Sequence, residues 1–393
     1  MKRDPVWLSG KLKTVVPQWC LGVGALGLAG CALLFKIDPH HFSFSYLTAY
    51  MYFLSITLGS LFFVIIQHLV RAGWSVAIRR IPETLAMNVG WMALLFIPIV
   101  IAMPELYHWT HADALAHDHL LQWKAPYLNV PFFLLRAGFF FVVWVGLAWL
   151  FYSRSVKQDT SHDGAITLRL QGLAAVAILL FGLTQTFASF DWLMSVTPHW
   201  YSTMFGVCFF AGSVLSALSL TVLILLTLRR ARLLYQWLRI DHLHDLSKLI
   251  YGFNVFWAYV TFSQYFLYWY ANIPEESMWF MAHFKGSWQW VGVFITLGHF
   301  FIPFVVFMSK HMRRNLKVQV VMMLWFLFMH AVEMVWLVMP NASPAGFHLG
   351  IGDVVAFVGI GGVYMGLFWR RLAKHSLVPV GDPRLPESMH YHT

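Results

Sequence analysis

Residues 190–206, FDWLMSVTPHWYSTMFG, lie between two long apolar runs at about 168–190 and 202–228. The first run ends at an acid, Asp191, and the chain then turns at Pro198 and enters the second run. An ionisable group at the edge of membrane hydrocarbon is costly, so it needs a partner or a function. Because this pattern of apolar run, short polar turn and apolar run recurs along the chain, it decides the fold.

The composition predicts a polytopic membrane protein. Of the 393 residues, 59% are hydrophobic and only 11% are charged, whereas a soluble chain is roughly a quarter charged. Crossing about 30 Å of hydrocarbon takes roughly 20 helical residues, and backbone groups in lipid must bond within their own segment, which favours helices over a β-barrel. We therefore predict an all-α fold, with one transmembrane domain over residues 1–393. The ten predicted spans lie at about 16–35, 46–70, 85–103, 129–151, 168–190, 202–228, 250–271, 286–308, 316–338 and 352–369.

The positive charges alternate from loop to loop. Of the 27 Lys and Arg residues, 23 lie in one set of loops, and Arg136 lies within the fourth span. The other set of loops carries only Lys36, Lys124 and Lys285. Because cytoplasmic loops are enriched in Lys and Arg, this split predicts that both termini are cytoplasmic. It also accounts for the formal charge of +10 without a nucleic-acid partner.

The cysteines argue against a metal or redox cofactor held by this chain. Cys20, Cys31 and Cys208 all lie in apolar runs, and none is part of a CxxC or CxxCH motif. The N-terminal stretch that ends at Leu28-Ala29-Gly30-Cys31 resembles a lipoprotein signal with its cleavage site. We expect it instead to be retained as the first membrane helix.

Five ionisable residues lie at membrane depth and are the candidates for a proton pathway. His330 and Glu333 are spaced i,i+3, so they share one face of the ninth span. Arg136 and Asp191 lie in the same outer layer, and His299 lies near the midplane. One interpretation is an ion pair of Arg136 with Glu333 or with Asp191 that joins helices. The other is a polar pathway or substrate pocket entered from the outer face.

Three other patterns indicate alternatives. The outer loop with His108, His111, His117 and His119 is typical of a solvated segment, and a divalent metal site is the alternative. Haem b ligation normally needs facing histidine pairs, and the spans offer single histidines at depth. Aromatic residues at about 257–270 form either packing and an aromatic belt or a stacking surface for a quinone ring.

Residues 190–206, together with residues 265–276, YFLYWYANIPEE, resemble the ActF subunits of bacterial alternative complex III. These subunits belong to the NrfD-like (PsrC-like) family of integral membrane proteins, and the resemblance extends over essentially the whole chain. It implies two four-helix bundles plus two peripheral helices in the bacterial inner membrane.

The resemblance also implies a role in electron transport. Such a complex oxidises quinol and passes electrons to cytochrome c or to a terminal oxidase. Iron–sulfur clusters and c-type haems are expected in partner subunits, among them the iron–sulfur subunit ActB and haem c subunits, beside the paralogue ActC and membrane lipids. This chain is then expected to hold no redox cofactor and no catalytic residue, and to contribute a scaffold and proton translocation through Asp191.

Two rival functions remain open from the sequence. The chain can carry its own quinol site near the outer face, for which Trp192, His199, Tyr268 and Trp269 are the candidate quinone-binding residues. Alternatively it is a stand-alone secondary transporter, although such folds tend to show internal repeats, and no clear repeat is present.

Overall fold

In the computed structural model, which describes residues 6–392, the chain is helical and contains no β-strand. Nine helical segments among these residues are long and apolar enough to cross a membrane. The predicted all-α, polytopic class is therefore confirmed. Together with one further long helix, these segments are α1 (Lys11–Ile37), α2 (Pro39–Leu69), α3 (Arg80–Ile101), α4 (Val130–Ser161), α5 (Gly164–Val196), α6 (Phe205–Arg230), α7 (Ile240–Ala271), α8 (Trp288–Met308), α9 (Leu316–Asn341) and α10 (Ile351–Leu372).

The predicted seventh span corresponds to α7, which is not among the nine apolar segments. At 32 residues α7 is long enough to cross a bilayer. Its tyrosines and tryptophans, and the amides of Asn254 and Gln264, make it less apolar than the other segments. Its crossing therefore stays a prediction.

Two of the spans, α3 and α8, are interrupted within their length, whereas α5 and α9 only end in short 3₁₀ turns. α3 consists of the short helices Arg80–Ala86, Val89–Leu95 and Ile97–Ile101, with Pro98 in the first turn of the last piece. α8 contains a π-helical turn at Thr296–Phe301. π-helical turns are rare, and those that do occur are frequently found at functional sites. The turn in α8 is therefore a candidate for part of a functional site.

The centre of the fold is the contact between α2 and α6, the two most enclosed helices. A Cβ at Gly59 of α2 would overlap the backbone carbonyl of Ser213 of α6, so the two backbones touch. Small residues allow such close approach in membranes, where packing rather than the hydrophobic effect joins helices. α5, α9 and α10 pack on α2, whereas α7 and α9 pack on α6.

α1 lies at the periphery and packs along α10 through glycines. A Cβ at Gly27 would lie 2.5 Å from the Cα of Gly359, and a Cβ at Gly362 would lie 2.6 Å from the Cα of Gly24. The opposite face of α1 is exposed, including Trp19, as expected for a surface in contact with lipid. Residues 11–37 thus form one of the apolar helices that are long enough to span a membrane, and glycines bring this helix close to α10.

A buried ionic cluster joins the C-terminal segment to the loop before α3 and to the end of α4. Arg79 forms ion pairs with Glu83 at 3.0 Å and with Asp382 at 2.6 Å. Arg80 forms an ion pair with Asp159 at 2.6 Å. Because several hydrogen-bonded charges compensate one another here, these arginines can be buried.

We expect Gly27→Ala and Gly22→Ala to change stability in opposite directions. The Cβ at Gly27 forces the contact with α10 to open, which lowers the free energy of unfolding by about 1–3 kcal/mol. A Cβ at Gly22 meets no atom within 4 Å, and alanine stabilises the helix by about 0.5–1 kcal/mol. Thermal unfolding of both variants in the same detergent measures the two changes. A similar shift in both would contradict the α1–α10 contact.

Candidate functional site

The five ionisable residues predicted at membrane depth form two groups. Arg136 of α4 pairs with Asp191 of α5. Glu333 and His330 of α9 meet His299 of α8. The sequence left the partner of Arg136 open between Asp191 and Glu333, and the structure places it with Asp191.

The ion pair of Arg136 and Asp191 is bidentate. Nε of Arg136 donates to Oδ2 of Asp191 at 2.7 Å, and Nη2 donates to Oδ1 at 3.0 Å. Nη1 donates to the backbone carbonyl of Tyr127 at 2.9 Å. Parallel bonds of this kind are among the strongest between side chains. Both side chains are buried, and the pair, which carries no net charge, links α4 to α5.

Aromatic rings cover the guanidinium of Arg136. Its Cζ lies 3.8 Å from the ring centroid of Tyr127 and 4.4 Å from that of Phe132. Burial raises the pKa of the Tyr127 hydroxyl well above its usual range. Aromatic rings over a cation stabilise the charge and exclude water from it. The pair of Arg136 and Asp191 therefore has the features of a structural contact between helices.

The second group surrounds the carboxylate of Glu333. Oε2 lies 2.9 Å from Nδ1 of His330 and 3.9 Å from Nδ1 of His299, and Oε1 accepts a hydrogen bond from Nε1 of Trp257 at 2.7 Å. Nε2 of His330 lies 2.8 Å from Oγ of Ser55 on α2. We call these five residues the Glu333 centre.

A glycine in α6 makes room for the Glu333 centre. A Cβ at Gly212 would lie 3.1 Å from Oε2 of Glu333 and 3.0 Å from Cε1 of His330. The i,i+3 spacing of His330 and Glu333 presents both side chains to this gap. The centre therefore depends on a small residue of the neighbouring helix.

His299 lies in the π-helical turn of α8, and its ring stacks on Trp257 with a centroid distance of 3.9 Å. The side chain is fully buried, yet neither ring nitrogen has a hydrogen-bond partner among residues 6–392. Buried polar atoms without partners are costly and require an explanation. Water or a ligand next to Glu333 would satisfy them.

A cavity of about 670 Å³ reaches the Glu333 centre from between α6, α7, α8 and α9. Its size is within the range of small-molecule sites, which are mostly apolar with a few polar groups. Glu333 and Trp257 supply polar atoms at the wall, and Sγ of Cys208 donates to Oε1 of Gln264 at 3.4 Å. The remaining lining is largely aromatic or aliphatic, including Phe205, Phe262, Phe280, Phe284, Ile295, Phe300, Phe301 and Trp336.

The four candidate quinone-binding residues do not line this cavity. Trp192 is fully buried in an aromatic core cluster, and Trp269 is exposed. Tyr268 donates to a backbone carbonyl of the loop between α5 and α6. His199 lies 2.5 Å from the carboxylate of Asp118 in the segment between α3 and α4, and this hydrogen bond lowers the pKa of Asp118.

The sequence interpretation did not single out Ser55, Gly212 or Thr261, which lie in the centre, beside it or along the cavity, and it named Cys208 only as a cysteine in an apolar run. Serine, glycine and threonine are common in membrane helices, so nothing in the sequence distinguished them. For α7 a usable signal exists. Trp257 is followed at i+4 and i+7 by polar residues, which places all three on one helix face.

Three of the four histidines in the segment between α3 and α4 form hydrogen bonds with nearby atoms. A ring nitrogen of His111 lies 2.8 Å from a backbone carbonyl, one of His117 lies 2.9 Å from another, and His119 accepts from Trp123 at 3.3 Å. Among the described residues no three or more His, Cys, Asp or Glu side chains converge to hold a metal ion.

We expect Asp191→Asn to destabilise the protein more than the double variant Arg136→Gln/Asp191→Asn. The single change leaves a buried guanidinium unpaired, which costs about 3–5 kcal/mol. The double change removes both charges, and its loss is expected to be smaller. Unfolding of the two variants and of Arg136→Gln in one detergent gives the coupling energy. Additive losses would show that the pair is not coupled.

In comparisons with known proteins, no family model and no curated protein matches this chain.

Proposed function

We propose that this chain is an integral membrane subunit of a bacterial quinol-oxidising respiratory complex of the alternative complex III type, and that Glu333 is its proton-exchanging group. The observation that carries the proposal is a buried carboxylate, bonded to histidine and tryptophan, at the wall of an apolar cavity. The resemblance of residues 190–206 and 265–276 to ActF subunits supports the choice of complex.

The proposal includes a topology of ten spans in the bacterial inner membrane. α7 is then the seventh crossing, both termini are cytoplasmic, and the helices form two four-helix bundles with two peripheral helices. The alternation of 23 positive residues against three supports this orientation. Redox cofactors, iron–sulfur clusters and c-type haems, then belong to partner subunits such as ActB, with ActC as the paralogous membrane partner.

The charge of Glu333 depends on protons rather than on a fixed cation. Its ion-pair partners among residues 6–392 are His330 and His299, and neither Lys nor Arg is among them. An uncompensated charge in a membrane costs about 2.5–3.5 kcal/mol on insertion scales, so a proton bound by the carboxylate or by His330 changes the energy of the whole centre. Asp191, which faces Arg136, lacks this dependence.

A short path of polar groups continues from the cavity through Glu333. His330 lies between Glu333 and Ser55, and Oγ of Ser55 donates to the backbone carbonyl of Tyr52 at 2.7 Å. Histidine can accept and donate a proton, so His330 can exchange one with Glu333, while Ser55, whose hydroxyl donates to a backbone carbonyl, holds the imidazole in place. For this reason we place the proton route at Glu333 and not at Asp191.

We expect Glu333→Gln in the assembled complex to lower quinol-driven proton release by at least tenfold, since acid–base groups contribute about 10²–10⁴-fold. Glutamine keeps the acceptor for Trp257 but cannot bind and release a proton at neutral pH. Quinol oxidation and proton release are measured separately in reconstituted vesicles.

The double variant Arg136→Gln/Asp191→Asn is the matched control for this measurement. It alters buried charges of the other group and should leave the number of protons released per quinol unchanged. A normal proton yield in Glu333→Gln, or an equal loss in the double variant, would refute the assignment.

A second candidate function is binding of the quinol ring in this subunit's own cavity. The specific observation that favours it is the combination of aromatic walls with a single carboxylate in about 670 Å³. A quinol needs an apolar space for its ring and tail and an acceptor for its hydroxyl proton. Glu333 supplies the acceptor, so the site lies at α6–α9 and not at the four residues predicted from the sequence.

We expect Ala258→Trp to weaken binding of a quinone analogue by at least tenfold, because Ala258 lines the cavity and the larger ring fills it. Val142→Trp adds the same ring to an exposed position of α4 and should leave binding unchanged. Titration of the purified chain in detergent measures both affinities. Unchanged affinity in Ala258→Trp would exclude the cavity as the binding site, while leaving the proton role of Glu333 to its own test.

A further inference from the structure

A second concave surface lies at the end of α6, on the side that the charge pattern assigns to the cytoplasm. Its volume is about 700 Å³, and three of its lining residues are arginines while none is acidic. We call it the arginine cavity. Its lining residues are Val6, Arg229, Arg230, Arg232, Leu233, Tyr235, Gln236 and Trp237.

One arginine is held in place by the turn that follows α6. Nη1 of Arg229 donates to the backbone carbonyl of Leu238 at 3.0 Å, and the guanidinium lies 5.5 Å from the ring centroid of Tyr235. Arg229 is half-buried, whereas Arg230 is exposed. The guanidinium of Arg229 therefore forms part of the cavity wall, and the exposed side chains of Arg230 and Arg232 are available to bind a ligand.

Arg232 adopts an unusual backbone conformation. Its φ is 61°, in the left-handed region that normally favours glycine after a helix. Its N–H donates to the carbonyl of Arg229 at 3.0 Å, and the N–H of Leu233 donates to that of Leu228 at 3.0 Å, which closes the helix end. Arg232 is one of four residues other than glycine that adopt this conformation among the described residues, and here its side chain lines the cavity.

The positive charge of the cavity exceeds what the helix end requires. The C-terminus of α6 carries roughly half a negative charge, which Arg229 and Arg230 in the last turn offset. The nearest acid in the following helix, Asp241, is engaged by Arg314 at 2.9 Å and by Arg239 at 3.8 Å. The cavity therefore keeps a net positive charge.

We infer that the arginine cavity binds the phosphate headgroup of an anionic phospholipid of the inner leaflet. Guanidinium groups match phosphate oxygens in geometry and charge. The cavity follows directly on an apolar span, at the depth of headgroups, and Tyr235 and Trp237 are aromatics of the kind that lie at this boundary. Basic pockets on the cytoplasmic side of membrane proteins bind such headgroups.

The test uses the full-length chain purified in detergent, with phosphatidylglycerol and phosphatidylcholine as probes and native mass spectrometry as the readout. The wild-type chain is expected to retain phosphatidylglycerol at least fivefold better. Arg230→Gln/Arg232→Gln should lose this preference. Arg154→Gln/Arg169→Gln removes two exposed arginines on the same side and should keep it. Equal retention in the wild type and the cavity variant would overturn the proposal.

Two further arms distinguish a lipid site from a loss of folding and from a site for a free anion. Arg232→Gly relieves the left-handed strain, so it should unfold at the same or a higher temperature and still retain less phosphatidylglycerol. A variant that keeps its lipid would refute a binding role for Arg232. Displacement of the lipid by millimolar inorganic phosphate would assign the cavity to a free anion and overturn the headgroup assignment.

Discussion

The close contact between α2 and α6 is the constraint on which the rest of the structure depends. Gly59 brings the backbone of α2 against Ser213, one residue beyond Gly212, which leaves the gap that His330 and Glu333 fill. One turn before Gly59, Ser55 points at His330. Side chains larger than these would separate the helices and remove both the gap and the hydrogen bond. The polar centre is thus a consequence of small residues at a helix crossing.

The sequence was sufficient to predict the class of fold and the ionisable residues whose insertion into a membrane costs free energy. Length and apolarity identify the spans, and i,i+3 spacing places His330 and Glu333 on one face. The partner of Arg136 could not be predicted, because the sequence pattern assigns Asp191 and Glu333 to the same layer of the membrane. Which acid the arginine meets is decided by the arrangement of α4 beside α5, and single-chain patterns carry no information about that neighbour.

The candidate quinone residues illustrate a different limit. A high density of aromatic residues indicates where a quinone ring can stack. Aromatic belts at the membrane interface, packed cores and ligand pockets all have this high density, however. Trp269 faces outward and Trp192 fills a core, while Trp257 on the same helix as Trp269 faces the carboxylate. The helix face on which each residue lies distinguishes Trp257 from Trp269, since Thr261 and Gln264 follow Trp257 at i+4 and i+7 and share its face. The π-helical turn that brings His299 to this face lies just before Pro303, which has no N–H to donate to the carbonyl of His299, but a proline within a span does not by itself specify a π-helical turn.

The two polar groups differ in how their charge is compensated, and this difference bears on function. The charge of Asp191 is balanced by the guanidinium of Arg136, and neither residue lines the cavity. The charge of Glu333 is balanced only when a histidine beside it carries a proton, and one of these histidines has unsatisfied nitrogens. In the proposed function, a ligand or water that enters the cavity changes the surroundings of Glu333 and with them its protonation. In that function, the difference in compensation links occupancy of the cavity to proton movement at Glu333, whereas Asp191 has its counterion within the protein.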